Sequence, residues 1–126
     1  WARDMSSYRG FTMDDQNLYL TNSDSVVVAM KRTDGSVIWE QSALRRRGLT
    51  APAIDGDALL VGDFEGYLHW LDKSTGEIVA RRKTDGERIS NAAIADESRT
   101  FVQTDSGKLI ALSSRAREQR TADSGQ

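Results

Sequence analysis

The sequence predicts an all-β chain of four-stranded antiparallel sheets, on three observations. The sequence is self-similar at an offset of 41 residues, its apolar runs are short and separated by turn-forming Asp and Gly, and several of those runs are apolar on both alternating faces. The repeat comes first, because a fixed period of this length is the signature of a stacked or ringed architecture. At that offset Leu18-Tyr19-Leu20 falls on Leu59-Leu60-Val61 and then on Thr100-Phe101-Val102. Ser25, Gly66 and Gly107 coincide, as do Val27, Leu68 and Leu109, and Met30, Leu71 and Leu112. An acid recurs at Asp14, Asp55 and Asp96, and no gap is needed between Gly10 and Ser113. Four short strands in about 40 residues is the period of a β-propeller blade. The fold expected is therefore a partial β-propeller of about three blades.

Each element follows from local chemistry. In the first unit Leu18 to Leu20 and Val26 to Met30 read as strands, and Thr33-Asp34-Gly35 turns the chain into Val37-Ile38-Trp39. In the second, a strand at Ala51 to Asp55 meets the hairpin turn Asp55-Gly56-Asp57, whose Gly supplies positive φ. Strands at Leu59 to Gly62 and Tyr67 to Leu71 flank the turn Asp63-Phe64-Glu65-Gly66. The loop Asp72 to Gly76 then leads into Ile78 to Lys83. The runs Val26 to Met30 and Tyr67 to Leu71 are apolar on both faces, as in a sheet covered on both sides. Ile78 to Lys83 instead ends in Arg81-Arg82-Lys83, which suits an exposed edge. Blades are expected at about Ser7 to Gln41, Gly48 to Lys83 and Arg88 to Ser113, the last without a fourth strand. The polar stretch from Ser114 to Gln126 is expected to be disordered. Trp1-Ala2-Arg3 stands where the outer strand of an earlier blade would close, so the chain is expected to start inside a blade.

Composition narrows the function classes. Seventeen Lys and Arg against 19 Asp and Glu give a net charge of −2, which offers no broad electrostatic footprint for nucleic acid. With no cysteine, a disulfide framework or a thiolate zinc site is impossible. No apolar run approaches the roughly 20 residues of a membrane-spanning helix. The start at Trp1 carries no leader-like run, so any signal peptide is expected to have been removed or to lie upstream.

Few residues point to chemistry. His69 is the single histidine and lies inside a strand between Leu68 and Trp70, so packing accounts for it and a catalytic triad does not. Asp55, Asp57, Asp63 and Glu65 lie close in sequence, but turn geometry explains acids at hairpin ends without a cation. No catalytic, cofactor-binding or metal residue is assigned. Arg45-Arg46-Arg47, in a connection between blades, and Arg81-Arg82-Lys83 either solvate the surface or meet an acidic partner or phosphate. Phe64, at a turn tip where the other units carry Ser23 and Asp105, either anchors a partner or folds back on the neighbouring blade.

Two stretches carry a family resemblance. Gly35-Ser36-Val37-Ile38-Trp39-Glu40, preceded by Ala29 and Asp34, resembles the tryptophan-docking signature of PQQ-like repeats. In that signature the small residues, here Ala29, Gly35 and Gly76, let backbones approach and the Trp packs between blades. The second unit has Ala80 in place of that Trp. The run from Val61 to Leu71, with Leu49-Thr50-Ala51-Pro52 before it, is similar to the penultimate blade of the BamB family of outer-membrane assembly factors. The resemblance implies an eight-bladed, non-catalytic scaffold: a lipoprotein on the periplasmic side of the bacterial outer membrane that helps a BamA-like barrel protein insert β-barrels. It further implies that about a third of such a propeller is present, with the partner-contacting loops mostly in earlier blades and the lipid-bearing Cys upstream. Quinoprotein dehydrogenases share the repeat, yet the carboxylate base, cation ligands and vicinal Cys pair of their site have no counterpart here. A generic interaction propeller of another pathway, related to PQQ or WD40 repeats, is the remaining alternative. A stack of three blades exposes sheet faces, so self-association or membership of a longer chain is expected.

Overall fold

A computed structural model of the chain describes residues 1–4, 8–96 and 99–113, and the stretch expected to be a disordered tail lies outside them. The described residues form strands and turns with no helix, grouped in three antiparallel sheets. The first sheet runs in the order β1 (Tyr8–Met13), β2 (Asn17–Asn22), β3 (Val27–Lys31) and β4 (Val37–Gln41). The second repeats this order with β5 (Ala53–Asp55), β6 (Ala58–Gly62), β7 (Tyr67–Asp72) and β8 (Ile78–Lys83). The third holds β9 (Ile94–Ala95), β10 (Arg99–Gln103) and β11 (Leu109–Ser113). The repeat extends to irregularities: the β3–β4 pairing shifts register between Ala29 and Met30, and the β7–β8 pairing between Trp70 and Leu71.

Period-2 alternation distributes the apolar residues between two interfaces. Tyr19, Val27 and Ala29 of the first sheet pack on Leu59, Val61 and Leu71 of the second. The opposite face of the second sheet, with Ala58, Leu60, Leu68 and Trp70, packs on Val102 and Leu112 of the third. Both faces of the middle sheet are thereby covered, and β6 is buried at every position. This is the reason its sequence, Ala-Leu-Leu-Val-Gly, does not alternate.

A tryptophan latches successive sheets together. The ring of Trp39 lies over Gly76, where a Cβ would sit 2.5 Å from it. Trp39 Nε1 donates to the Lys73 carbonyl at 3.0 Å, and Gln41 Nε2 donates to that of Gly76 at 2.9 Å. The same arrangement recurs at the front of the first sheet. Trp1 covers Gly35, its Nε1 donating to the Arg32 carbonyl at 2.6 Å, while Arg3 Nη1 donates to that of Gly35 at 2.8 Å. Ala29 is fully buried and pairs across the strands with Trp39. Antiparallel order places the β2–β3 type turns and the connections between sheets at one end of the molecule, and it is there that the candidate site lies.

Candidate functional site

The turn between β6 and β7 is organised by one buried carboxylate. Asp63 Oδ1 accepts the backbone N–H groups of Glu65 and Tyr67, each at 2.9 Å, closing an Asx-type turn. The first repeat does the same with Asn22, whose Oδ1 accepts the N–H groups of Asp24 and Val26. Asp63 adds what an asparagine does not: its Oδ2 lies 2.8 Å from His69 Nε2 and 3.0 Å from Arg47 Nε. The side chains of Asp63 and His69 are both fully buried. Burial alone would raise the Asp63 carboxyl, but bonds from His69, the two backbone N–H groups and Arg47 outweigh it and hold the group below its usual range. For His69 burial dominates over the attraction of Asp63, so the imidazole titrates below its usual value and is neutral at pH 7. With a carboxylate as acceptor at Nε2, the proton sits on Nε2, and Nδ1 is left without a partner among the described residues.

Arg47 connects this interior pair to the surface. Its carbonyl accepts the Phe64 N–H at 2.9 Å, and its guanidinium also reaches Glu65 at 3.7 Å. The guanidinium lies 6.0 Å from the centre of the Tyr67 ring, and from the adjacent edge strand β8 Arg81 stacks on the same ring at 4.4 Å and Lys83 at 5.9 Å. Thus the structure brings Arg47 of one basic run and Arg81 and Lys83 of the other together at Tyr67, a residue that sequence reasoning passed over as a strand start. The Asp63–His69 pair was likewise not anticipated. The available signal was a histidine at the position of Val28 in the first repeat, on the strand that follows a turn opened by an acid where the first repeat has Asn22.

Phe64 is 43% exposed, with its Cβ beside Gly48 of the connecting loop. Arg45 and Arg46 stand apart from Tyr67 and line, with Asp24, Ser42 and Ala43, an open cleft of about 780 Å³. Asp55 closes β5 beside the start of β6 and Asp63 follows the end of β6, so the two acids do not converge: Asp55 Oδ2 accepts Trp70 Nε1 at 3.0 Å, while Asp63 holds the other turn.

Comparison with known proteins places the chain. A family model described as outer membrane protein assembly factor BamB matches residues 1–41 and 23–120. The protein of that name from Bordetella pertussis is 41% identical over 110 residues, covering 87% of this chain and 28% of the relative. That from Escherichia coli is 32% identical over 112 residues, covering 89% and 29% respectively. The chain thus spans less than a third of the length of these curated relatives. Among solved structures, BamB from Moraxella catarrhalis superposes with a TM-score of 0.76 at 30% identity, over 82% of this chain and 30% of that one. A quinohemoprotein alcohol dehydrogenase from Comamonas testosteroni, at 22% identity and a TM-score of 0.70, shares the architecture alone. With its three PQQ-type sheets and a family match along most of its length, the chain belongs to the BamB family.

Proposed function

We propose that the chain forms blades of a BamB-type propeller that serves, without catalysis, as a scaffold of the outer-membrane β-barrel assembly machinery. In this reading the parent is a lipoprotein on the periplasmic side of the outer membrane. It meets a BamA-like barrel protein mainly through blades upstream of those described, and needs no cofactor. The observation that supports it is the family membership, together with an exposed end whose loops are held rigidly: Asp63 fixes the turn that presents Phe64, and Arg47 ties that turn to the connection carrying Arg45 and Arg46. Rigid loops on a packed scaffold suit protein contacts, and we assign Phe64, Arg45, Arg46 and Arg47 as contact residues. Ala29, Gly35, Trp39 and Gly76 keep the blades in register. The test is a pull-down from envelope extract with the full-length parent. Recovery of a BamA-like barrel protein is the expected result. Its absence, with quinone-dependent dye reduction, would replace the scaffold by a dehydrogenase, and absence of both would point to an interaction propeller of another pathway.

A further inference from the structure

The cations around Tyr67 are not a by-product of the fold, and the internal repeat supplies the control. In the first sheet the positions equivalent to Tyr67, Arg81, Arg82 and Lys83 are Val26, Glu40, Gln41 and Ser42. The backbone there has the same strands, the same register and the same bulge, yet it carries neither the aromatic nor the cations. Nor does overall composition produce the cluster, since the chain is net negative.

Gathering like charges at one ring costs repulsion, which the ring quadrupole and solvent only partly offset. Arg47 is compensated by Asp63 and Glu65. Among the described residues Arg81 and Lys83 have no ion pair, and their contact is the Tyr67 ring. Their remaining donors face solvent from an exposed edge strand. An anionic partner would therefore meet two uncompensated cations held in place on a rigid aromatic platform, an arrangement that favours association without requiring the protein to reorganise.

We infer that the Tyr67–Arg81–Lys83 surface is a docking site for an acidic segment of a partner protein, rich in Asp and Glu and carrying an apolar or aromatic residue. A chain fits better than a small anion for two reasons. Arg81 and Lys83 sit two residues apart on one exposed edge strand, at 4.4 and 5.9 Å from the ring centre, so successive carboxylates of a chain can meet both. The adjoining turn presents Phe64, 43% exposed, which offers nothing to a phosphate but is a ready anchor for an apolar side chain. The inference rests on reading this end of the molecule as a protein-contacting surface, and it names the chemistry of the partner.

The experiment uses the full-length parent and a short fluorescent peptide rich in Asp and Glu with one Phe, followed by anisotropy. Saturable binding that weakens with added salt is expected. The Asn/Gln version of the peptide should bind at least about tenfold more weakly, and the Arg81→Glu/Lys83→Glu double variant should lose at least as much. Arg99→Glu, a charge reversal at the opposite end of the third sheet, should leave binding unchanged. Circular dichroism checks the fold, and Arg81→Gln/Lys83→Gln carries the same test if the reversal variant does not fold. The proposal is overturned if no peptide binds, if the amide version binds equally, if the variants bind like the parent, or if inorganic phosphate or phosphatidylglycerol vesicles occupy the patch more tightly than the peptide. Because the assay contains no assembly machinery, its failure beside a successful pull-down removes the acidic partner and leaves the scaffold reading standing.

Discussion

Asp63 concentrates more bonds than any other side chain at the candidate site: two backbone N–H groups, His69 and Arg47 all share one buried carboxylate. Replacing it by Ala removes the anion while leaving Arg47 half-buried and the turn N–H groups without an acceptor. A loss of about 3 kcal/mol is expected, read from the urea midpoint. The pH dependence has a definite sign. His69 binds its proton less readily when folded than its ordinary value of 6.5, so the unfolded chain protonates first and stability falls as pH drops below about 6.5. Asp63 acts in the same direction further into acid: its stabilisation is complete above 3.8 and is lost as pH falls toward its depressed folded value. His69 is the single histidine, so the His69→Asn variant should lose the upper step of a stability profile and keep the lower one.

At the scale of the elements, the latch between sheets makes a comparison possible within one molecule. Gly76 has φ +80° and faces the Trp39 ring, whereas Gly107 has φ +93° and nothing within 4 Å of an added Cβ. Alanine at Gly107 meets backbone strain alone, about 1 kcal/mol. At Gly76 it also collides with the indole, and the total should reach about 2–3 kcal/mol. Denaturation of both variants measures the difference, and the excess at Gly76 should vanish in a Trp39→Ala background if the ring is its source. Ser25 shows the repeat compensating for a missing glycine. It takes φ 65° where the other units have Gly66 and Gly107, and its Oγ accepts the buried N–H of Leu49 at 2.9 Å.

Taken as a whole, the described residues cover the middle sheet on both sides and leave large apolar side chains exposed on the two outer sheets. On the front face Phe11 is 57% exposed, and on the third sheet Leu109 is 68% exposed and Ile94 73%. Trp1, Phe11, Leu18, Leu20 and Met30 line an open apolar depression of about 260 Å³ on the front face. Apolar sheet faces of this kind draw blades together. The 126-residue chain by itself is therefore expected to associate with rising concentration in sedimentation velocity. The Phe11→Glu/Leu109→Glu variant should shift it toward monomer, and a strictly monomeric parent chain would contradict the reading.

The amino-acid sequence by itself determined the repeat, the strand and turn order and the burial of the middle sheet, because strand alternation, turn residues and a 41-residue period are written locally. The docking signature around Trp39 is legible in adjacent residues, but that its ring lies over Gly76, in the next sheet, was decided by tertiary structure. The convergence of Arg47, Arg81 and Lys83 on Tyr67 was decided only by tertiary structure. It joins a loop to an edge strand more than thirty residues away, and no local preference encodes which side chains two stacked sheets bring to the same ring. The same holds for His69. Its neighbours Leu68 and Trp70 mark it as buried, but only the closing of the hairpin sets its Nε2 against Asp63.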